Sequence, residues 1–255
     1  MNKGYAVITG ASSGIGTEFA KRMAKEGYKL VLVARRKERL EQLAQELDTK
    51  CIILTADLSD MDECNRIMNE LDSVEIDVFI NNAGFGYCGE TLSIDTETEL
   101  NMIDLNVKAM HLLVKLALDK MISKDKGYVL NVASSAGLLP AGPYMSAYYA
   151  TKAYVTSYTR GVAEELRRKH SNVYIGCLCP GPVDTEFNKV ANVEFALKGI
   201  SAHYCANYAI TQMFKRKITI VPALKMKALV VLARFLPSKL YIRIAAKQQR
   251  KKIYK

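Results

Sequence analysis

The sequence predicts an α/β protein with a doubly wound parallel sheet of about seven strands and helices on both faces. Short, almost wholly apolar runs alternate with stretches that have the 3.6-residue period of amphipathic helices. Such runs are typical of strands buried on both faces, and the helices between them supply right-handed crossovers. The predicted strands are Tyr5–Thr9, Leu30–Ala34, Cys51–Thr55, Val78–Asn81, Tyr128–Val132, Val173–Leu178 and Ile218–Val221. The predicted helices include Gly14–Glu26, Lys37–Leu47, Met61–Leu71, Thr96–Ile122 and Tyr148–Lys169.

Length and charge indicate one domain with a basic tail. The chain has 255 residues and shows no internal repeat, so we expect one main domain over residues 1–222 and a helical extension of it over 223–255. Asp184–His203 is predicted to be a mobile insertion. The net charge of +10 belongs to the tail, because no acidic residue follows Glu194. The first 194 residues carry 22 basic and 26 acidic residues, a net charge of −4.

Cysteine usage and hydropathy exclude several classes. The six cysteines form no C-x-x-C motif and the three histidines are far apart, so we expect no metal site and plain buried thiols. This pattern favours a reduced, cytoplasmic protein. No run of about 18 apolar residues is present to span a bilayer. Because Tyr5–Thr9 already predicts a core strand, we expect no leader sequence before it.

A glycine-rich turn follows the first strand and opens the first helix. Glycines allow the backbone to approach a pyrophosphate closely, and the helix N-terminus offers free N–H donors. A lone glycine turn is weak evidence, but this position in a doubly wound sheet favours a Rossmann-type dinucleotide site. Its predicted cofactor contacts are Gly10, Ser12, Ser13, Gly14, Ile15 and Gly16.

The residues after the second strand predict which dinucleotide binds. An NAD site has an acidic residue there, whereas this sequence has Arg35 and Arg36. Guanidinium groups fit a 2′-phosphate, so we expect NADP(H), with Arg35 as the main ligand and Arg36 adding charge. The alternative is two solvated arginines at the start of a surface helix. Further contacts are predicted at the next strand ends, from Asp57, Leu58, Asn82, Ala83 and Gly84; Asp57 is equally able to cap the following helix.

Tyr148 and Lys152 lie four residues apart on a predicted helix, so their side chains share one face. An ammonium beside a phenol is expected to lower the tyrosine pKa toward neutrality and make it a general acid or base. A serine after the strand Tyr128–Val132 would lie near enough to hydrogen-bond a substrate oxygen. Asn106 falls inside a helix, where an asparagine has no propensity reason to be, and predicts a kink or a buried amide.

Six motifs in this order resemble the short-chain dehydrogenase/reductase family. They are Thr9-Gly10-x3-Gly14-x-Gly16, Asn81-Asn82-Ala83-Gly84, Leu105-Asn106-Val107, Ser134-x-Ala136-Gly137, Tyr148-x3-Lys152 and Cys179-Pro180-Gly181-Pro182-Val183-x-Thr185. The resemblance covers residues 3 to about 222.

The resemblance implies a catalytic tetrad of Asn106, Ser134, Tyr148 and Lys152. Tyr148 would protonate the carbonyl, Ser134 would orient it, Lys152 would bind the nicotinamide ribose, and Asn106 would hold a water. Counting back 13 residues from the tyrosine selects Ser135 instead, although the Ser-x-Ala-Gly motif favours Ser134. The contacts beside the nicotinamide would come from Pro180, Gly181, Val183 and Thr185.

The expected activity is hydride transfer between NADP(H) and a ketone or aldehyde, with an apolar or acyl-like substrate. The expected pocket lining is Phe85, Tyr87, Leu138, Leu139, Tyr144 and Phe187. The alternative is a non-catalytic NADPH-binding regulator or membrane-surface scaffold.

The partners expected are the small-molecule substrate and further copies of the chain in a homodimer or homotetramer. The basic tail is open to several interpretations: it could lie on an anionic membrane surface, dock an acidic acyl-carrier protein or acyl-CoA, or pack between subunits with a solvated basic end. Nucleic-acid binding is disfavoured, because no aromatic residues are interleaved with the charges.

Overall fold

The computed structural model describes residues 3–187, 191 and 199–250. Within these residues the strands are β1 (Tyr5–Thr9), β2 (Lys29–Ala34), β3 (Cys51–Thr55), β4 (Ile76–Asn81), β5 (Tyr128–Val132), β6 (Tyr174–Leu178), β7 (Val183–Asp184), β8 (Ile200–Ser201) and β9 (Thr219–Ile220). The α-helices of the same described part are α1 (Gly14–Lys25), α2 (Lys37–Glu46), α3 (Met61–Glu70), α4 (Thr96–Ile103), α5 (Met110–Ile122), α6 (Ser146–Arg168), α7 (Ala202–Phe214), α8 (Leu224–Phe235) and α9 (Ser238–Arg250).

Seven of the strands form one parallel sheet in the order β3-β2-β1-β4-β5-β6-β9. The strand order reverses between β1 and β4, which creates a crevice at their carboxyl ends. β7 and β8 pair separately, also in parallel, beyond the carboxyl end of β6. The predicted doubly wound architecture is therefore confirmed, and strand bounds differ from the predicted ones by at most two residues.

Successive side chains of each strand point to opposite faces of the sheet and fill a core on either side. In β1, Val7 packs with the core under α3, α5 and α6, whereas Ala6 and Ile8 pack with the core under α1, α2 and α7. Phe19 of α1 and Phe79 of β4 are the largest fully buried side chains, one in each core. Burial on both faces explains why these strands are apolar throughout and do not alternate between apolar and polar residues.

The predicted single helix Thr96–Ile122 is wrong in detail. It is interrupted over Asp104–Ala109 by a π-helical turn that separates α4 from α5. Such turns often mark functional sites, because the wider i→i+5 spacing redirects a side chain. Here the redirected residue is Asn106, which is buried.

The stretch Asp184–His203, predicted as one mobile insertion, is only partly described by the structure. Residues 188–190 and 192–198 lie outside the described residues. Ile200–Ser201 and the first residues of α7 are already regular structure, with Ser201 capping the helix through the Tyr204 N–H. The predicted insertion is therefore too long at its C-terminal end.

The tail, predicted as a helical extension, forms two helices that fold back onto the domain. α8 packs against a 3₁₀ turn over Ser135–Leu138, and α9 lies against the start of α6, where the Gln249 amide donates to the Tyr149 hydroxyl over 3.1 Å. No helix in the described part of the chain is long and apolar enough to cross a membrane.

Candidate active site

The glycine turn between β1 and α1 has the backbone geometry that only glycine adopts readily. Gly10 and Gly14 have positive φ angles of +66° and +58°. A Cβ added at Gly16 would lie 2.1 Å from the Gly10 carbonyl oxygen, so the helix start and the strand end touch through bare backbone. A turn this close-packed leaves the N-terminal N–H groups of α1 open to a pyrophosphate.

A network of hydrogen bonds ties the end of β1 to the end of β4. The Thr9 hydroxyl accepts from the N–H groups of Asn82 at 2.9 Å and Ala83 at 3.0 Å. The Asn82 amide in turn donates to the Thr9 carbonyl oxygen over 2.9 Å. These bonds hold Ala83 and Gly84 against the glycine turn, at the point where the strand order reverses.

The arginines after β2 differ in position. The Arg36 guanidinium donates to the Ser12 hydroxyl over 3.2 Å, which puts it against the glycine turn. Arg35 points outward, with its side chain 71% exposed and 3.7 Å from the Asp57 carboxylate. The structure thus brings Arg36 closer to the turn than Arg35, the residue favoured by the sequence.

Glu186, an acidic residue that bridges Arg36 and Arg39, was not identified in the sequence analysis. The Glu186 carboxylate lies 3.1 Å from Arg36 and 2.7 Å from Arg39. Hydrogen bonds from Arg39 and then Arg36 hold the pKa of Glu186 below its usual value. Because a carboxylate fits between these guanidiniums, a phosphate group would fit there as well.

Asp57 does not cap α3, so that alternative is wrong. The N-cap is Asp60, whose carboxylate accepts from the Asp62 N–H over 2.8 Å. The Asp57 carboxylate accepts from the N–H and the hydroxyl of Ser59 at 3.0 and 2.7 Å. Burial raises the pKa of Asp57, but the bonds from Ser59 and the charge of Arg35 outweigh it, and the pKa is lowered.

Tyr148 and Lys152 lie on the buried face of α6, beneath the carboxyl edge of the sheet. The Lys152 ammonium donates to the Val132 carbonyl oxygen at the end of β5 over 2.9 Å and lies 5.9 Å from the centre of the Tyr148 ring. Burial lowers the pKa of Lys152 to about 8. Burial also raises the pKa of Tyr148 to about 12. Contrary to the sequence-based expectation, the tyrosine pKa is raised, because loss of solvent outweighs any neighbouring charge.

The two candidate serines have different surroundings. The Ser134 hydroxyl accepts from the Ala136 N–H over 3.1 Å, and hydrogen bonding by Ser134 opposes the rise in the Tyr148 pKa. Ser135 is buried, and its N–H donates to the Pro180 carbonyl oxygen over 2.8 Å. The structure brings the Ser134 side chain, rather than that of Ser135, to the tyrosine hydroxyl.

Asn106 fastens the loop after β4 to α6. Its amide N–H₂ donates to the Phe85 carbonyl oxygen over 2.8 Å and to the Thr151 hydroxyl over 3.2 Å. Its amide oxygen accepts from the Phe85 N–H over 3.1 Å. A Cβ at Gly84 would lie 2.7 Å from that oxygen and 3.3 Å from the Lys152 nitrogen, so the two side chains meet beside this glycine. Both expectations for Asn106, a kink and a buried amide, fit this arrangement.

Most of these groups line one cleft of about 680 Å³, but Gly16 and Asn106 do not. The glycine turn, both arginines and the strand ends line one end, and Ser134, Tyr148 and Lys152 line the middle. The segment after β6 forms the roof, with Thr185 over Gly14 and the Phe187 ring 5.7 Å from the Tyr148 ring. The roof residues predicted from the sequence are Pro180, Gly181, Val183 and Thr185, and all four line the cleft.

The predicted pocket residues divide into two groups. Phe85, Leu139 and Phe187 line the cleft, whereas Tyr87 and Tyr144 pack behind it with Tyr148. Leu138 belongs to the main core under α6. The structure corrects the prediction for these last three residues, because none of them lines the cleft.

The tail forms one wall of the cleft, which the sequence analysis did not predict. Its cleft-lining side chains come from both tail helices and include Met226, Leu229, Leu232, Ala233, Leu236, Tyr241, Ile244 and Gln249. On α8 they recur at three- and four-residue steps, the spacing of one helix face. That periodicity is visible in the sequence, but what the face covers is not.

The pattern of the short chain dehydrogenase family matches residues 4–194. A very-long-chain 3-oxoacyl-CoA reductase of Anas platyrhynchos is 34% identical over 202 residues, which are 75% of this chain but 63% of that protein. This chain therefore spans less than two thirds of that relative. An uncharacterized oxidoreductase of Staphylococcus epidermidis is 32% identical over 214 residues, 81% of this chain and 90% of that protein.

Solved structures agree with the sequence comparison. A short-chain dehydrogenase from Sphingobium yanoikuyae in complex with NADPH superposes with a TM-score of 0.81 at 29% identity, covering 91% of this chain and 94% of that one. The chain therefore belongs to the short-chain dehydrogenase/reductase family, whose members are oxidoreductases that use a nicotinamide cofactor.

Proposed function

We propose that this chain is an NADP(H)-dependent oxidoreductase that interconverts a ketone or aldehyde and an alcohol. The observation that carries the proposal is the convergence of Ser134, Tyr148 and Lys152 in the same cleft as the glycine turn. A dinucleotide that lies along the glycine turn would extend toward Tyr148. The cofactor, when bound, supplies or accepts the hydride.

Tyr148 is the proposed proton donor for carbonyl reduction. With a pKa of about 12, its hydroxyl is protonated at neutral pH and can pass the proton to a carbonyl oxygen as the hydride reaches the carbonyl carbon. Ser134 orients that oxygen through its hydroxyl. Lys152, with a pKa of about 8, is mostly cationic at pH 7 and would stabilise the tyrosinate that remains. Asn106 positions the loop at Phe85 beside both groups.

The preference for NADP(H) over NAD(H) rests on the charge beside the glycine turn. Arg36 and Arg39 already hold a carboxylate between them, and Arg35 lies on the same wall of the cleft. A 2′-phosphate would replace that carboxylate and gain charge-assisted bonds. The Sphingobium yanoikuyae relative was solved with NADPH, which agrees with this choice.

An apolar, acyl-like substrate is favoured by the walls around Tyr148. Leu139, Met145 and Phe187 face the cleft from one side, and the apolar residues of α8 face it from the other. The relative from Anas platyrhynchos is named for a very-long-chain 3-oxoacyl-CoA substrate. We therefore propose 3-oxoacyl thioesters and long-chain ketones as the first compounds to screen.

We further propose that the protein is cytoplasmic and acts as a homodimer or homotetramer through α5 and α6. His111 of α5 and Tyr154 of α6 form an exposed hydrogen bond of 2.8 Å, and the Tyr154 ring stacks on Tyr158. Aromatic residues of this kind are enriched at subunit interfaces. Sedimentation of the wild type and of Tyr154→Lys would test this, with dissociation expected for the variant.

The test of the cofactor proposal is a fluorescence titration with NADPH and with NADH. We expect tighter binding of NADPH, and Arg36→Asp should weaken NADPH binding selectively while the exposed control Arg167→Asp should not. Arg35→Asp should have a smaller effect than Arg36→Asp, because Arg35 points away from the turn. Equal binding of both cofactors would refute the NADP preference, and binding of neither would favour a scaffold.

A further inference from the structure

The outer face of the tail helices is apolar, although it is turned to solvent. We define the tail face as Leu224, Val231, Leu232, Phe235, Leu240 and Ile244. Leu224 is 79% and Phe235 is 83% exposed, and the other four are between 44% and 65% exposed. The inner face of α8 is apolar as well, since Met226, Val230 and Ala233 are buried against the domain. A helix with apolar side chains on two opposite faces is typical of one covered on both sides.

The tail face lies on a segment of the chain that carries positive charge and no negative charge. From Gly199 to Arg250 the chain has ten lysines and arginines and no acidic residue. In the described part of the chain, six cations on α8 and α9 form no ion pair, namely Lys225, Lys227, Arg234, Lys239, Arg243 and Lys247. Unpaired cations interleaved with exposed leucine, valine and phenylalanine side chains match the interface of an anionic bilayer.

We propose that the tail face docks on an anionic lipid membrane surface. A second copy of the same face is disfavoured as the occupant, because it would bring two sets of unpaired cations together. An acidic protein would neutralise the charge but gives no reason for side chains as exposed as Leu224 and Phe235. A bilayer interface offers both phosphate groups and hydrocarbon.

The position of the tail face connects the membrane to the cleft. Leu232 and Ile244 belong to the tail face and also line the cleft, so the apolar surface continues from the outside into the pocket. A docked molecule would present the mouth of its cleft to the bilayer, and an apolar carbonyl compound would enter from the lipid. Docking goes beyond the proposed function and requires neither bound cofactor nor turnover.

Vesicle co-sedimentation of the full chain tests the proposal. We expect the protein to pellet with vesicles that contain phosphatidylglycerol and to stay in solution with vesicles of phosphatidylcholine alone. Binding should fall at 1 M salt, where the Debye length is about 3 Å instead of about 10 Å at 0.1 M. Each cation removed should weaken binding about fivefold, which Arg243→Gln and Lys247→Gln measure separately and together.

A second variant separates the apolar contribution from the charge. Val231→Ser with Phe235→Ser removes two apolar side chains that do not line the cleft and should abolish pelleting while NADPH binding is retained. Leu92→Ser is the matched control, because Leu92 is fully exposed on the loop before α4. The proposal is overturned if the wild type does not bind anionic vesicles or binds only an acidic protein. It is also overturned if the variant Val231→Ser with Phe235→Ser pellets like the control Leu92→Ser.

Discussion

Replacing Lys152 by methionine should abolish turnover and yet stabilise the fold at neutral pH. The side chain is buried, and its pKa falls from 10.5 to about 8. A shift of this size corresponds to about 3 kcal/mol of unfavourable burial of the cation at pH 7. Methionine has a similar length and removes that cost, although the Val132 carbonyl oxygen loses a hydrogen bond from a charged donor worth about 2 kcal/mol. The net gain in free energy of unfolding should be about 1 kcal/mol.

The pH dependence gives the sign of the effect independently. Because the folded pKa of Lys152 lies below its unfolded value, burial of the wild-type lysine costs nothing above about pH 10.5, and the cost is complete once pH has fallen through about 8. The advantage of Lys152→Met should therefore be complete below pH 8 and vanish toward pH 10.5. At pH 7 it should raise Tm by about 2–4 °C.

The assay is thermal unfolding of the wild type, Lys152→Met and the control Lys115→Met at pH 7 and pH 10. Lys115 is exposed on α5, so its replacement should change Tm little at either pH. Tyrosines and cysteines titrate alike in all three proteins and cancel in the differences. The reasoning is refuted if Lys152→Met is less stable than the wild type at pH 7, or if its gain is the same at both pH values.

Three further changes have expected outcomes. Glu186→Gln should tighten NADPH binding by up to about fivefold in a fluorescence titration, because its carboxylate would no longer compete for the arginines. An unchanged Kd would show that Glu186 does not compete with the cofactor. Gly16→Ala forces a Cβ against a backbone carbonyl and should lower the free energy of unfolding by about 1–3 kcal/mol and abolish NADPH binding, which denaturant unfolding and titration measure together. Ser134→Ala should lower kcat by about 100-fold, whereas Ser135→Ala should lower it little. If steady-state kinetics gave the reverse ranking, Ser135 would be the serine that orients the substrate oxygen.

The sheet could be predicted from the sequence because each strand is a short apolar run bounded by turn residues. The glycine turn and the Tyr148–Lys152 pair could be predicted for a related reason. Their spacing reflects local backbone geometry, which a linear sequence contains.

What could not be predicted depends on contacts between distant segments. The tail pattern predicts a helix, but only packing against Ser135–Leu138 makes α8 a wall of the cleft. The π-helical turn at Asp104–Ala109 is fixed by the bonds of Asn106 to Phe85 and Thr151, both far away in sequence. The tyrosine pKa was predicted in the wrong direction, because spacing gives the neighbouring charge but not the extent of burial.

The central claim is that Tyr148 donates the proton in an NADPH-dependent carbonyl reduction. The most direct measurement is NADPH oxidation with a 3-oxoacyl thioester by the wild type and Tyr148→Phe, together with the NADPH Kd of each. Removing only the hydroxyl should lower kcat by about 100-fold to 10,000-fold, with an NADPH Kd within about threefold of the wild type. Turnover that survives in Tyr148→Phe would contradict this account of the site.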